Sequence, residues 1–271
     1  MKILFKIYQK LIRAGSSVIA PSSKRHIVHS HFSDYEMLVF ANEDVGRQIW
    51  LFGRYEEDES YFFANHIRPT DICFDVGGNL GYFSLLMARF AVQGSVHVFE
   101  PIPVNAALIT VNAQLNRIQN MYVNNVAVGD HEASVEFSVS IDSAYSSMHA
   151  TGRRAEQQSI SVPMVTLDNY LCSASLDRVD VMKVDVEGAE ALVVQGATFL
   201  GDPIRRPRIV LMELFNENLS VFDSSVESVV TTMALHGYTP YVLKDDGRRL
   251  EPYDASAHSA FYNIFFLLDS I

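Results

Sequence analysis

The chain has 271 residues, 48% of them hydrophobic and 20% charged, with 14 glycines and 9 prolines. That excludes disordered, collagen-like and disulfide-scaffold compositions and suits a domain with a large core. Lys and Arg number 21 against 32 Asp and Glu, a formal net charge of −11, so a broad cationic footprint for nucleic acid is not expected.

The charge is uneven along the chain. The first 33 residues hold no acid and six cations, Lys2, Lys6, Lys10, Arg13, Lys24 and Arg25, which leaves −17 on the rest. Lys2, Lys6 and Lys10 recur every four residues and share a helical face, beside an apolar stripe of Ile3, Leu4, Ile7, Leu11 and Ile12. Such a helix suits weak contact with a membrane surface through residues 1–26, or packing on the domain or a second subunit. Lys6 and Lys10 interrupt any signal-peptide core, and no apolar run approaches the ~20 residues that span a bilayer. Cytoplasmic residence, peripheral to a membrane at most, is the expectation. Residues 1–48 are read as an N-terminal extension with an amphipathic helix and 49–271 as the main domain. With two cysteines, Cys73 and Cys172, neither a disulfide framework nor a thiolate metal site is suggested.

Segment 47–67 carries Trp50, Phe52, Tyr55, Tyr61, Phe62 and Phe63 and predicts helices over one side of a sheet mouth. From residue 70 the chain alternates short strand-like runs, at 72–76, 96–100, 122–128, 180–186 and 209–214, with helical patterns at 82–92, 103–117, 188–200 and 224–236. Alternation of this kind predicts an α/β sheet of parallel strands with crossover helices. Runs at 135–139 and 159–165, around the polar stretch 140–158, predict a hairpin-like excursion or lid. Runs at 238–243 and 260–268, separated by the turn signal Asp246-Gly247, predict a closing antiparallel pair.

The most informative segment runs from Asp71 to Ser84: an apolar strand, Asp75, then Gly77, Gly78, Asn79 and Gly81, then an amphipathic helix. Gly77 and Gly81 permit positive φ and close approach of a ligand to the main chain at the strand end. A dinucleotide site would read G-x-G-x-x-G and aim the helix at a pyrophosphate. Here Asn79 replaces the second glycine and Asp75 adds negative charge, so a cationic ligand fits better. Glu100 ends the next run 19 residues after Gly81, where a carboxylate can accept both hydroxyls of an adenosine ribose. Asn125, Val126 and Ala127 end the third run and would lie near the adenine. In the fourth run Lys183 and Asp185 fall on the same side of the strand, and a buried lysine there needs a carboxylate partner. Glu187 follows, and Glu213 ends the fifth run. In an open α/β sheet, Asp75, Glu100, Asp185 and Glu213 share the C-terminal edge where such sheets bind ligands.

These elements resemble a known family. Phe-Asp-Val-Gly-Gly-Asn-Leu-Gly-Tyr-Phe-Ser at 74–84, Val-Phe-Glu-Pro-Ile-Pro-Val-Asn at 98–105 and Val-Thr-Leu-Asp-Asn-Tyr-Leu at 165–171 are similar in order and spacing to FkbM-type methyltransferases. So are Met-Lys-Val-Asp-Val-Glu-Gly-Ala-Glu at 182–190 and Gln-Gly-Ala at 195–197, and the resemblance covers about residues 50–268. Gly78 stands where the family usually has alanine, a departure expected to change little beyond local backbone freedom.

The resemblance implies a Rossmann-like class I methyltransferase fold with a mainly parallel seven-stranded sheet of order 3-2-1-4-5-7-6, the last strand antiparallel. It also implies S-adenosylmethionine and transfer of its methyl group to a hydroxyl of a sugar, glycolipid or polyketide-type small molecule. Carried over residue by residue, Asp75, Gly77, Asn79 and Gly81 surround the methionine part and sulfonium. Glu100 takes the ribose, Asn125, Val126 and Ala127 the adenine, and Asp185 faces the methyl group. Asp185, assisted by Glu187 or Glu213, is the candidate to orient or deprotonate the acceptor, with Lys183 fixing those carboxylates. Clustered carboxylates also suit Mg²⁺, although no metal spacing singles out ligands. Ser146 and Ser147 in the excursion are further cofactor contacts, and His149 is a further base. The competing readings are a nicotinamide-dependent oxidoreductase, which would share the glycine turn and acidic residue, and a non-catalytic membrane-associated binding module.

Overall fold

The computed structural model describes residues 25–140, 156–244, 247–257 and 262–268. The helix expected near the N-terminus, and Ser146, Ser147 and His149, lie outside the described residues. The described chain opens with an antiparallel hairpin, β1 (Arg25–His29) and β2 (Glu36–Phe40). Helices α1 (Asp44–Phe52) and α2 (Glu57–His66) follow, α1 being closed by Gly53 at φ 64°.

The alternating part comes next: β3 (Ile72–Val76), α3 (Tyr82–Phe90), β4 (Ser95–Phe99), α4 (Pro103–Leu115) and β5 (Met121–Asn124). Proline opens α4, where its fixed φ suits the first turn and its missing N–H costs nothing. Three strands then leave the main sheet, β6 (Ala127–Val128), β7 (Ala133–Ser140) and β8 (Glu156–Val165), and form a small sheet of order β6-β8-β7. The run at 122–128, read above as one strand, is therefore two strands in two sheets. Between them Asn125 donates its side-chain amide to the carbonyls of Glu100 and Pro101 at 2.8 and 2.9 Å.

The chain returns through α5 (Leu167–Ser173), capped by Thr166 accepting from the Asn169 amide, to β9 (Val181–Val184), α6 (Glu190–Gln195) and β10 (Ile209–Leu214). It ends with α7 (Asn216–Leu219), α8 (Val226–Leu235), whose Ser225 and Ser228 form a capping box, and the strands β11 (Thr239–Lys244), β12 (Arg249–Pro252) and β13 (Tyr262–Leu267).

The main sheet has eight strands in the order β12-β11-β13-β10-β9-β3-β4-β5. Seven were expected; β12 pairs antiparallel with β11 and adds the eighth at an edge. Strands β10, β9, β3, β4 and β5 are mutually parallel, while β13 is antiparallel to β10 and to β11. Successive side chains of a strand face opposite sides, and the central strands are apolar on both, as buried parallel strands are. Cys73, Val96, Val181, Leu211 and Phe265 join one core under α1 to α4, and Phe74, Phe99, Met182, Val210 and Phe266 join the other under α5 to α8. Met37, Val39 and Val45, from the segment read as extension, are buried in the first of these cores. Among the described residues no helix is long and apolar enough to cross a membrane.

The hairpin is held by asparagines of α4. The Asn112 side chain accepts from the Leu38 amide at 2.7 Å and donates to the Leu38 carbonyl at 3.2 Å; Asn116 does the same for Glu36 at 2.8 and 2.6 Å. Spaced four apart, the two side chains share a helix face and stand where a neighbouring strand would. Asn112 also donates to the Leu80 carbonyl at 3.2 Å, tying the hairpin to the glycine turn.

Candidate active site at the carboxyl edge of the sheet

The parallel strands bring Asp75, Glu100, Asp185 and Glu213 to one edge. The glycine turn after β3 is built by contacts within the chain. The amides of Gly77 and Gly78 donate to the Phe99 carbonyl at 2.9 and 3.1 Å. Gly77 has φ 89°, and a Cβ there would lie 1.8 Å from the Asp185 carbonyl oxygen. Glycine at 77 is thus needed for the close approach of the chain after β3 to the end of β9. At Gly78 a Cβ would meet Val98 Cγ1 at 2.4 Å and Ile109 Cδ1 at 3.0 Å. The departure from alanine therefore matters here, because Val98 and Ile109 fill the volume a methyl would take. Gly81, at φ 85°, faces Ile109.

Glu100 is buried, 4% exposed, and accepts the Asn79 amide on Oε2 at 2.7 Å and the Ile102 amide on Oε1 at 2.9 Å. Burial pushes its carboxyl up to about 8, with those amides pulling it back. Each carboxylate oxygen still has a lone pair for a hydroxyl donor. Asn79 adopts φ 49°, and its side-chain oxygen is buried without a hydrogen-bond donor among the described residues. Val126 is half-buried, and Ala127 is buried in the small cluster with Ile102, Phe137, Val162 and Met164. Ala127 supports the β6–β8 sheet from below.

On the other side of β3, Lys183 Nζ donates to Asp185 Oδ2 at 2.8 Å and lies 4.9 Å from the centre of the Phe83 ring. Burial works against the ammonium charge, but Asp185, Glu56 and Asp75 outweigh it and the lysine pKa rises. Asp75 is buried and accepts from Ser84 Oγ; burial raises its carboxyl, while Lys183 and Ser84 draw it down. After β9 the chain turns sharply through Glu187 at φ 55° and Gly188 at φ 112°. Glu190 Oε1 stabilises that turn by accepting the Val186 and Gly188 amides at 3.1 and 3.2 Å. Glu187 Oε2 accepts from Asn218 at 2.7 Å. Glu213 sits opposite Asn263 of β13, and burial, then Asp185, Glu187 and Glu56, raises its carboxyl far above the usual range.

Three groups reach this mouth that the motif reading passed over. Tyr55 and Glu56 precede α2, and Glu59 lies in its first turn. Burial pushes Glu56 up to about 8 and also raises Glu59, while Lys183 lowers both. The Tyr55 hydroxyl is raised by burial and by Glu56, Glu213, Asp185 and Glu187. Asn263 Nδ2 donates to Glu59 Oε1 at 2.9 Å. The sequence signal was the acidic run Glu56-Glu57-Asp58-Glu59 directly after Tyr55, inside the segment expected to cover the mouth. Among the described residues no group of three His, Cys, Asp or Glu side chains has the geometry to hold a metal ion.

The arrangement is a carboxylate-lined mouth around Lys183, beside a second carboxyl, Glu100, reserved by main-chain amides. Repulsion would disfavour a pyrophosphate there, whereas a cation and hydroxyl donors match the charges and acceptors on offer.

The chain is similar to several methyltransferases. A methyltransferase FkbM from Streptomyces tacrolimicus, named for 31-O-demethyl-FK506, is 26% identical over 76% of this chain and 87% of its own length. The 2-O-methyltransferase NoeI of Sinorhizobium fredii and the hexuronic acid methyltransferase AglP of Haloferax volcanii are each 24% identical over 56% of this chain. Those matches cover 66% and 61% of the two relatives. Residues 75–240, more than half of the chain, match the family model of the methyltransferase FkbM domain, and the chain belongs to that family.

Proposed function

We propose that the protein is an S-adenosylmethionine-dependent O-methyltransferase acting on a hydroxyl of a sugar, glycolipid or polyketide-type small molecule. The observation that carries this is the pair of environments flanking β3: buried Glu100 with spare acceptor capacity, and the acidic mouth around Lys183. The names of the relatives, two of which specify an O position, support oxygen as the acceptor atom.

The residues fit the cofactor. Glu100 would accept the ribose hydroxyls. The orphaned oxygen of Asn79 and the carboxyl of Asp75 offer acceptors and negative charge to the methionine part, and Asn125 and Val126 would border the adenine. When bound, S-adenosylmethionine supplies an electrophilic methyl group on a sulfonium. The chain's own task is alignment, which accounts for much of the barrier lowering when two reactants are held in line. Asp185, fixed by Lys183 and with 20% of its side chain exposed, orients a hydroxyl at the mouth. Glu213, its carboxyl raised by burial and by the neighbouring carboxylates, hydrogen-bonds Asp185. Glu187, held by Asn218, closes the edge.

Calorimetric titration with S-adenosylhomocysteine tests the cofactor assignment, with binding expected for the wild type and weakened in Glu100→Ala. Absence of wild-type binding rejects the proposal. Transfer of a labelled methyl group to an alkali-stable product is the expected mark of an ether. Label released by mild alkali would point to a carboxyl acceptor instead.

A further inference from the structure

Three carboxyls at the mouth are already engaged. Asp185 is occupied by the Lys183 ammonium at 2.8 Å, Glu187 by Asn218 at 2.7 Å, and Glu59 by Asn263 at 2.9 Å. Glu213 and Tyr55 are raised by burial and by surrounding carboxylates. Two oxygens are different. Glu56 Oε2 and Asn263 Oδ1 are buried with no hydrogen-bond donor among the described residues. The Asn263 NH₂ group donates to Glu59 and the same side chain acts on the Glu56 carboxyl, which leaves Oδ1 as its open end. Once Glu56 ionises, near pH 8, both oxygens are acceptors, and a ligand that brings a hydroxyl group would satisfy them.

Resting on the methyltransferase reading above, we propose that Glu56 and Asn263 complete the acceptor-hydroxyl subsite beside Asp185, with Glu56, rather than Asp185, the catalytic base that takes the hydroxyl proton. The acceptor O–H bond breaks and its proton moves to Glu56 Oε2. The oxygen pair forms the bond to the methyl carbon, the carbon–sulfur bond breaks, and its pair stays on sulfur as a neutral thioether. The proton then leaves Glu56 for solvent. A general base works best when its pKa lies near the operating pH, and the Glu56 carboxyl, pushed by burial to about 8 and drawn down by Lys183, meets that condition. The groups that act on it come from every element around it: Lys183 and Asp185 at β9, Glu59 on α2, Glu213 on β10, Asn263 on β13, and Tyr55 and Tyr82 beside it.

The test compares wild type, Glu56→Gln and Glu57→Gln, the last altering a neighbouring acid that pairs with Arg54 at 2.7 Å. All three are expected to bind S-adenosylhomocysteine within about threefold, which also verifies folding. Failure of the wild type to bind overturns the methyltransferase reading and the subsite together, whereas failure of Glu56→Gln alone overturns only the subsite.

The second readout needs no acceptor. The infrared difference between wild type and Glu56→Gln should contain a carboxyl band titrating near pH 8, and a midpoint in the ordinary carboxylate range overturns the proposal. The third is transfer of labelled methyl to methyl β-D-glucoside, methyl β-D-glucuronide and a deproteinised extract of the source cells. Transfer by Glu56→Gln should fall roughly 10²–10⁴-fold with an unchanged KM for S-adenosylmethionine. The wild-type rise in rate toward pH 8, where the base becomes ionised, should disappear. Undiminished transfer by Glu56→Gln, or an equal loss in Glu57→Gln, overturns the role of Glu56.

Discussion

Glu100 at the end of β4 and Glu56 at the start of α2 are both buried carboxyls that loss of water pushes up to about 8, yet they are held in different ways. Main-chain amides of Asn79 and Ile102 fix both oxygens of Glu100. Side chains from distant strands surround Glu56, and one of its oxygens has no donor among the described residues. The first carboxyl cannot change partners without unwinding the glycine turn. The second can exchange a neighbour by a side-chain movement alone. Equal acidity therefore accompanies different aptitudes: a fixed acceptor suits a ligand part that stays put, and a loosely partnered one suits a proton that must arrive and leave.

Lys183→Met breaks the second region hardest. It leaves Asp185 and Asp75 without their cation, and a loss of about 3–5 kcal/mol is expected in urea unfolding of a side chain that is 5% exposed. Glu56 adds a pH signature. A raised carboxyl stays protonated in the folded state while the unfolded one ionises, so stability falls as pH rises above the unfolded value. Without Lys183 the folded Glu56 carboxyl rises further, and the deficit should deepen as pH passes about 8. A deficit that is flat between pH 6 and 9 would separate Glu56 from Lys183.

Asn112→Ala attacks the region around the glycine turn. It deprives the Leu38 amide, the Leu38 carbonyl and the Leu80 carbonyl of partners, and about 2–3 kcal/mol should be lost. A midpoint unchanged in denaturant would show that solvent replaces the asparagine. Glu100→Gln sharpens the contrast through binding: S-adenosylhomocysteine affinity should fall about 10–100-fold, in line with hydrogen bonds to a charged group. Hydroxyl donors favour the ionised carboxylate, so binding releases a proton. Wild-type affinity should therefore climb toward pH 8 and level off above it, while the variant stays flat. Gly78→Ala has the smallest expected effect, about 1–2 kcal/mol from overpacking against Val98 and Ile109. Val98→Ala in the same chain should recover most of it in thermal unfolding.

What could be read from the sequence followed the range of the interactions. The turn from Asp75 to Gly81, the carboxylate at Glu100 and the Lys183–Asp185 pair are local patterns at strand ends, and each was legible. The packing role of the glycines was not legible, because Gly77 accommodates Asp185 and Gly78 accommodates Val98, contacts that arise only after the strands are side by side. The eighth strand and the division of 122–128 into β5 and β6 were hidden in the same way: two-residue and four-residue strands carry too little periodicity to register. The Glu56, Glu59 and Asn263 group was the hardest to see. Glu59 and Asn263 are 204 residues apart in the chain, and no motif spans them.

The asparagine contacts between α4 and β2 bear on the order of folding. They join residues 74 and 80 positions apart, and they require the turns of α4 that place Asn112 and Asn116 on one side. The hairpin can form its own ladder early but can find its seat only once that helix exists. It is therefore a late-docking unit, and its amides should exchange with solvent sooner than those of β3 and β4.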